Sequence, residues 1–200
     1  MTAAGALGAL GTFIGLVRAL PQLARLLRVR DTHGVSLDTA ATSSIVSFGW
    51  VTYGVLTDQP AVVLATGASG VVFALVTVFA LRFGRRISEW RAAPLWLVVL
   101  VIFGAAGGAS GLGLILPLSV LVANLPQLLV AYRERNLTGL SLPTWLLSMS
   151  DGAVWLAYSL VTGDRAILVF GILQLTTSAA IVIRRWRWGR VGSEEALDLR

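Results

Sequence analysis

Residues 20–37 read LPQLARLLRVRDTHGVSL, and residues 125–142 read LPQLLVAYRERNLTGLSL. Each stretch joins Pro-Gln to a basic cluster and then to Gly-x-Ser-Leu. Shifting the chain by 105 residues aligns 20–57 with 125–162 without a gap, and 14 of the 38 positions are identical. The matches include Pro21/Pro126, Gln22/Gln127, Arg28/Arg133, Gly34/Gly139, Ser36/Ser141, Trp50/Trp155 and Tyr53/Tyr158. Shared apolar composition does not explain identity in one unbroken register. The chain therefore contains a duplicated unit.

Composition says where that unit sits. Of 200 residues, 56% are hydrophobic and only 13% charged, against about 25% charged in a soluble domain. Mean hydropathy is +0.80. Seven apolar segments run over roughly 5–27, 37–56, 60–82, 94–109, 112–132, 142–161 and 165–184, mostly near the ~20 residues a bilayer-spanning helix needs. The first is read as a helix rather than a cleaved leader, because no basic stretch precedes it and Arg18 and Pro21 interrupt it. The closing GSEEALDLR is expected to be disordered or to lie on the surface.

All 16 basic residues are arginine, and they gather at the ends of apolar segments. Arg25, Arg28 and Arg30 follow the first segment. Arg82, Arg85, Arg86 and Arg91 lie between the third and fourth. Arg133 and Arg135 follow the fifth, and Arg184, Arg185, Arg187 and Arg190 follow the seventh. Seven alternating crossings put all four clusters on one face, with only Arg165 opposite. The positive-inside rule then predicts an outside N-terminus and a cytoplasmic C-terminus. Charge placed this way belongs to a membrane protein, so no nucleic-acid partner is expected.

The duplicated units are three-helix repeats, segments 1–3 and 5–7, separated by one segment. The expected fold is all-α: seven transmembrane helices in a 3+1+3 plan. Residues 1–85 form the first repeat, 86–111 a linker helix, 112–187 the second repeat and 188–200 a polar tail. One intervening crossing gives both repeats the same orientation. Parallel repeats of this kind are a transporter architecture with the solute site between the halves.

Two Pro-Gln motifs, each followed about thirty residues later by Trp-x-x-Tyr in this 3+1+3 layout, resemble the SWEET and SemiSWEET sugar transporters of the PQ-loop superfamily. The resemblance covers nearly all of residues 5–185. It implies alternating access with Pro21 and Pro126 as hinges, since an internal proline removes a backbone hydrogen bond and bends a helix. Gln22 and Gln127 are then placed to satisfy the carbonyls so freed. Trp50 and Trp155 are implied to line a central pocket, offering an apolar face and an N–H donor to a sugar. Tyr53 and Tyr158, one turn further out, are implied as a gate at the outer end, and Asp38 and Pro143 as a gate at the inner end. Asp38 departs from the resemblance, which leads one to expect proline.

A second departure concerns the pocket floor. Sugar-transporting relatives carry asparagine sixteen residues after the tryptophan. Here those positions are Thr66 and Gly171. Gln174, three residues on and on the same helix face, is the candidate replacement.

Arg18 and Asp151 break the apolar runs of the first and sixth segments, and an intramembrane charge is a functional candidate by default. Arg18 lies about 18 Å from Arg30, and Asp151 about 15 Å from Ser141, at 1.5 Å per helical residue. Their repeat equivalents are Ala123 and Val46, so neither charge is duplicated. The two are expected to form an ion pair or to leave Asp151 as a proton site. Ser148 and Ser150 offer Asp151 a purely local alternative, with Arg18 reaching for the interface.

The expectation is a facilitator for a small polar solute, a sugar first. The alternative is a proton-coupled transporter of an amino acid or similar zwitterion using Asp151, and a non-transporting receptor is a third class. No enzyme activity, metal site or cofactor is expected. There is one histidine, His33, no cysteine, and no Gly-x-Ser-x-Gly or Walker-type motif. The expected partners are the solute and the lipid bilayer, in the cell membrane. Self-association into a homo-oligomer is left open.

Overall fold

The computed structural model describes residues 2–33, 35–134, 137 and 141–198, with side chains through residue 188. Gly34, Gly139 and Arg135 lie outside the described residues. Those described form seven α-helices and two short 3-10 turns, with no strand: α1 (Ala3–Val29), α2 (Leu37–Leu56), α3 (Pro60–Arg82), α4 (Ala92–Ile115), α5 (Ser119–Arg133), α6 (Leu142–Thr162) and α7 (Arg165–Asp198).

Local chemistry sets the helix ends. Thr2 caps α1 by accepting from Gly5 N at 3.2 Å, and Ser36 caps α2 by accepting from Thr39 N at 3.2 Å. Pro60 opens α3, and Pro143 sits in the first turn of α6, where a missing N–H costs nothing. Gly163, at φ 73°, closes α6. The polar tail is helical rather than disordered: α7 continues through it to Asp198.

The linker helix begins later than the expected residue 86. A 3-10 turn covers Ile87–Glu89, and α4 begins at Ala92. Gly108 has φ 54° and ψ −130°, inside the span Ala92–Ile115. A side chain at Gly111 would collide with the Phe103 carbonyl, and one at Gly104 would touch Leu112. Residues eight apart meet only if the chain doubles back, so the reversal falls at Gly108. Only glycine takes that backbone conformation readily. The second arm then runs through a 3-10 turn (Leu116–Leu118) into α5.

In the first triplet, α3 packs against both α1 and α2; in the second, α7 packs against both α5 and α6. The two repeats thus share one packing order. Their main seam is α1 against α6, while α4 lies along α2. One apolar cluster, with Trp50, Tyr53, Trp155 and Tyr158, spans both triplets. The outer faces carry exposed Leu, Val, Ile and Phe. Four stretches, Ala3–Val29, Pro60–Arg82, Ala92–Arg133 and Arg165–Trp188, are long and apolar enough to cross a bilayer.

Candidate functional site

A cavity of about 230 Å³ opens between the triplets. Trp50 and Trp155 both line it, one from α2 and one from α6. Each ring is held on edge: Trp50 against Tyr53 and Phe170, and Trp155 against Tyr158. Trp155 also lies flat enough on α1 that a methyl group at Gly11 would come within 2.8 Å of its ring. Glycine is needed there to let the indole approach.

The indole N–H groups are used differently. Trp155 Nε1 donates to Asp151 Oδ1 at 3.1 Å. In the first repeat the matching residue to Asp151 is Val46, and Trp50 Nε1 has no hydrogen-bond partner among the described residues. One indole donor is thus committed to the wall, and the other is not.

Arg18 and Asp151 both line the cavity. Arg18 Nη1 donates to Asp151 Oδ2 at 2.9 Å, joining α1 to α6 across the repeats. The Asp151 side chain is 8% exposed and that of Arg18 is 36% exposed, so the carboxylate is buried while the guanidinium reaches the cavity. Of the three sequence readings, the geometry is that of an ion pair. Ser43, Ser47 and Ser69 add hydroxyls to the lining, and none is hydrogen-bonded among the described residues.

Thr66 lines the cavity too, with its hydroxyl bonded back to the Val62 carbonyl at 2.7 Å. The other two floor candidates lie elsewhere, which corrects the expectation. Gly171 is where α7 presses on α6: a Cβ there would stand 2.7 Å from Leu156 N. Gln174 is buried away from the cavity, accepting from Asn124 Nδ2 at 3.1 Å and donating to the Ser148 carbonyl at 3.4 Å. Asn124 also donates to Thr177 Oγ1 at 2.8 Å. These amides tie α5, α6 and α7 together. The signal for Asn124 was a polar residue two places before Pro126, on a helix already read for its proline.

At the end remote from the arginine clusters, about one turn beyond the cavity-lining tryptophans, four side chains form a hydrogen-bonded ring. Tyr53 donates to both oxygens of Asp164, at 3.0 and 2.8 Å. Gln59 Nε2 donates to Asp164 Oδ2 at 3.1 Å, and Tyr158 donates to Gln59 Oε1 at 2.6 Å. Asp164 Oδ1 also accepts from Ile167 N at 3.0 Å, capping α7. The two tyrosines were legible as gate candidates; Gln59 and Asp164 were not singled out. The one signal was register, since the two are repeat equivalents in the turns before α3 and α7.

At the arginine-rich end, Asp38 accepts backbone hydrogen bonds from the start of α4, whereas Pro143 merely opens α6. Pro21 and Pro126 lie inside α1 and α5 as expected. Gln22 is half-buried and Gln127 exposed. Among the described residues neither bonds to a carbonyl freed by its proline, so that expected role has no counterpart in the geometry.

Residues 108–168 match the family described as PQ loop repeat. The match spans the second Pro-Gln copy together with Asp151, Trp155, Tyr158 and Asp164, and the gapless internal repeat carries the likeness to the first copy. No curated protein matches the chain. The match supports the PQ-loop superfamily. With its apolar helices and lipid-compatible outer faces, the chain is an all-helical membrane protein among its described residues, and its second half carries a PQ-loop repeat.

Proposed function

We propose that this protein is a SWEET-like transporter that moves a small polar solute by alternating access through the cavity between its repeats. The carrying observation is one cavity lined by both repeat-equivalent tryptophans, with the Tyr53–Asp164–Gln59–Tyr158 ring joining the two repeats about one turn beyond them. A pocket between two repeats that breakable polar contacts join at one end suits a carrier rather than a channel. In this reading the chain crosses seven times, the N-terminus lies outside and the arginine-rich end faces the cytoplasm of the cell. Pro21 and Pro126 are the bending points, and transport requires no catalytic residue or cofactor.

A sugar is the first solute class. The indole faces suit its C–H groups, and Ser43, Ser47 and Ser69 suit its hydroxyls. A zwitterion such as an amino acid is the second class, favoured by the Arg18–Asp151 pair in the wall. Its carboxylate would meet Arg18 and its ammonium Asp151.

Uptake of labelled monosaccharides, disaccharides and amino acids into vesicles holding the purified protein tests this reading. Saturable uptake of a sugar supports the first class and of an amino acid the second. If folded protein exchanges none of them at any pH gradient, a non-transporting receptor replaces the reading.

A further inference from the structure

The first turns of α2 and α6 are equivalent places in the two repeats, yet they hold Asp38 and Pro143. Proline serves a helix start by its backbone alone. Asp38 does something its counterpart cannot. Its Oδ1 accepts from the backbone N–H groups of Arg91, Ala92 and Ala93, at 2.9, 3.0 and 3.0 Å, and its Oδ2 from Ala92 at 2.9 Å. These are donors that the start of a helix leaves without intrahelical partners. Arg91, the residue in the capping position of α4, supplies no side-chain cap bond. Asp38 supplies that cap from a different helix, with its negative charge at the positive end of the α4 dipole.

The attachment continues along α2. A side chain at Gly49 would lie 2.9 Å from Leu100 Cδ1 and 2.9 Å from Leu116 Cδ2, so α4 and the following turn fill the space glycine leaves. Beyond the Gly108 reversal, Gly113 approaches Tyr53, where a Cβ would stand 3.0 Å from the ring. Asp38, Gly49 and Tyr53 thus hold the α4 region at the near end, middle and far end of α2. In the second repeat, α6 packs mainly on α7 and α1, and among the described residues no linker helix packs along it as α4 does along α2.

We propose that Asp38 fastens α4 to the first repeat as one body, so that opening and closing at the arginine-rich end is carried by the second repeat, α6 moving relative to a fixed α2–α4 unit. The proposal rests on the alternating-access reading. Asp38 is a positioning residue in it, acting on the path only through α4.

The chain contains no cysteine, so two introduced cysteines carry spin labels without background. One pair, His33 and Leu95, reports the first repeat against α4. The other, His33 and Leu146, reports it against α6. Full-length protein in lipid nanodiscs is compared with a Gln59→Asp variant, which places a second carboxylate in the ring at the opposite end. The expected result is a single His33–Leu95 distance in both proteins and a changed His33–Leu146 distribution. Asp38→Asn and Asp38→Pro are expected to add a second, longer His33–Leu95 population. A His33–Leu95 distance that shifts together with His33–Leu146 overturns the proposal even if neither Asp38 variant folds, and so does a folded Asp38→Pro with an unchanged His33–Leu95 distance. If neither distance responds, in Gln59→Asp or with any transported solute, the movement itself is absent and the alternating-access reading falls with the proposal.

Discussion

Gln59 and Asp164 are equivalent residues of the two repeats, and they are bonded to each other: Gln59 Nε2 lies 3.1 Å from Asp164 Oδ2. Tyr53 and Tyr158, the other equivalent pair, complete the ring from opposite sides. The ring works because the duplicated position has diverged. Tyr53 and Gln59 donate to the one carboxylate, and Tyr158 donates to Gln59. Two carboxylates facing each other at that distance would repel.

Gln59→Asp is therefore expected to open this end. Labels at Leu56 and Val161, themselves repeat equivalents near the ends of α2 and α6, should show a second and longer distance population. Each hydrogen bond to a charged group contributes about 1.5–3 kcal/mol, so losing one and adding repulsion should shift the open fraction at least about tenfold, which needs ~1.4 kcal/mol. An unchanged distribution would contradict the ring's role.

The two tryptophans should differ although they are equivalent. Removing either ring as Trp→Ala should abolish uptake while folded protein is retained. The milder Trp→Phe separates them. At 155 it also removes the donor to Asp151, whereas at 50 it removes an N–H with no partner among the described residues. Trp155→Phe should lower the melting temperature as well as uptake; Trp50→Phe should change uptake alone. Equal melting losses in both variants would refute the distinction.

Arg18→Ala and Asp151→Ala each strand one member of an ion pair. Breaking a fully buried pair costs ~3–5 kcal/mol, while exposed pairs contribute ~0–1 kcal/mol. With Arg18 reaching the cavity, about 1–3 kcal/mol is expected from either single change, read as lost thermal stability in detergent. Arg18→Ala with Asp151→Val, the neutral residues found at the equivalent positions in the other repeats, should recover much of it. A double variant no more stable than the singles would count against direct pairing.

Gly171→Asn installs the residue that the family resemblance leads one to expect. The structure gives it no room, since even a Cβ would meet Leu156 N at 2.7 Å. Overpacking of this kind costs typically about 1–3 kcal/mol. The variant should be less stable and gain no sugar uptake, as thermal melting and vesicle assays would show. A stable variant with increased sugar uptake would return Gly171 to the pocket.

The repeat, the membrane setting and the tryptophan and tyrosine pairs were legible because each rests on register or on polarity against an apolar background. Arg18 and Asp151 were visible for the same reason, and similar helical depths anticipated their pairing. What register alone could not give was facing. Gly171 and Gln174 share a helix with the pocket wall, but one is taken up by the approach of α6 and the other by Asn124. Asp38 read as a gate residue through the family resemblance, but its acceptors serve α4, an element with no repeat partner to align against. The break between the fourth and fifth apolar segments, read after residue 109, falls beside the reversal at Gly108; what the sequence did not show is that one glycine makes the turn.

The central claim is that one cavity opens alternately to the two faces of the membrane. Ser47→Cys places a thiol in its wall without native cysteine background. The most direct measurement is its reaction with a membrane-impermeant thiol reagent applied from each side of oriented vesicles. The account predicts labelling from the arginine-rich side in the otherwise native protein, a shift toward the opposite side when Gln59→Asp is added, and protection by a transported solute. Labelling from neither side, or equal labelling from both sides in both proteins, would contradict it.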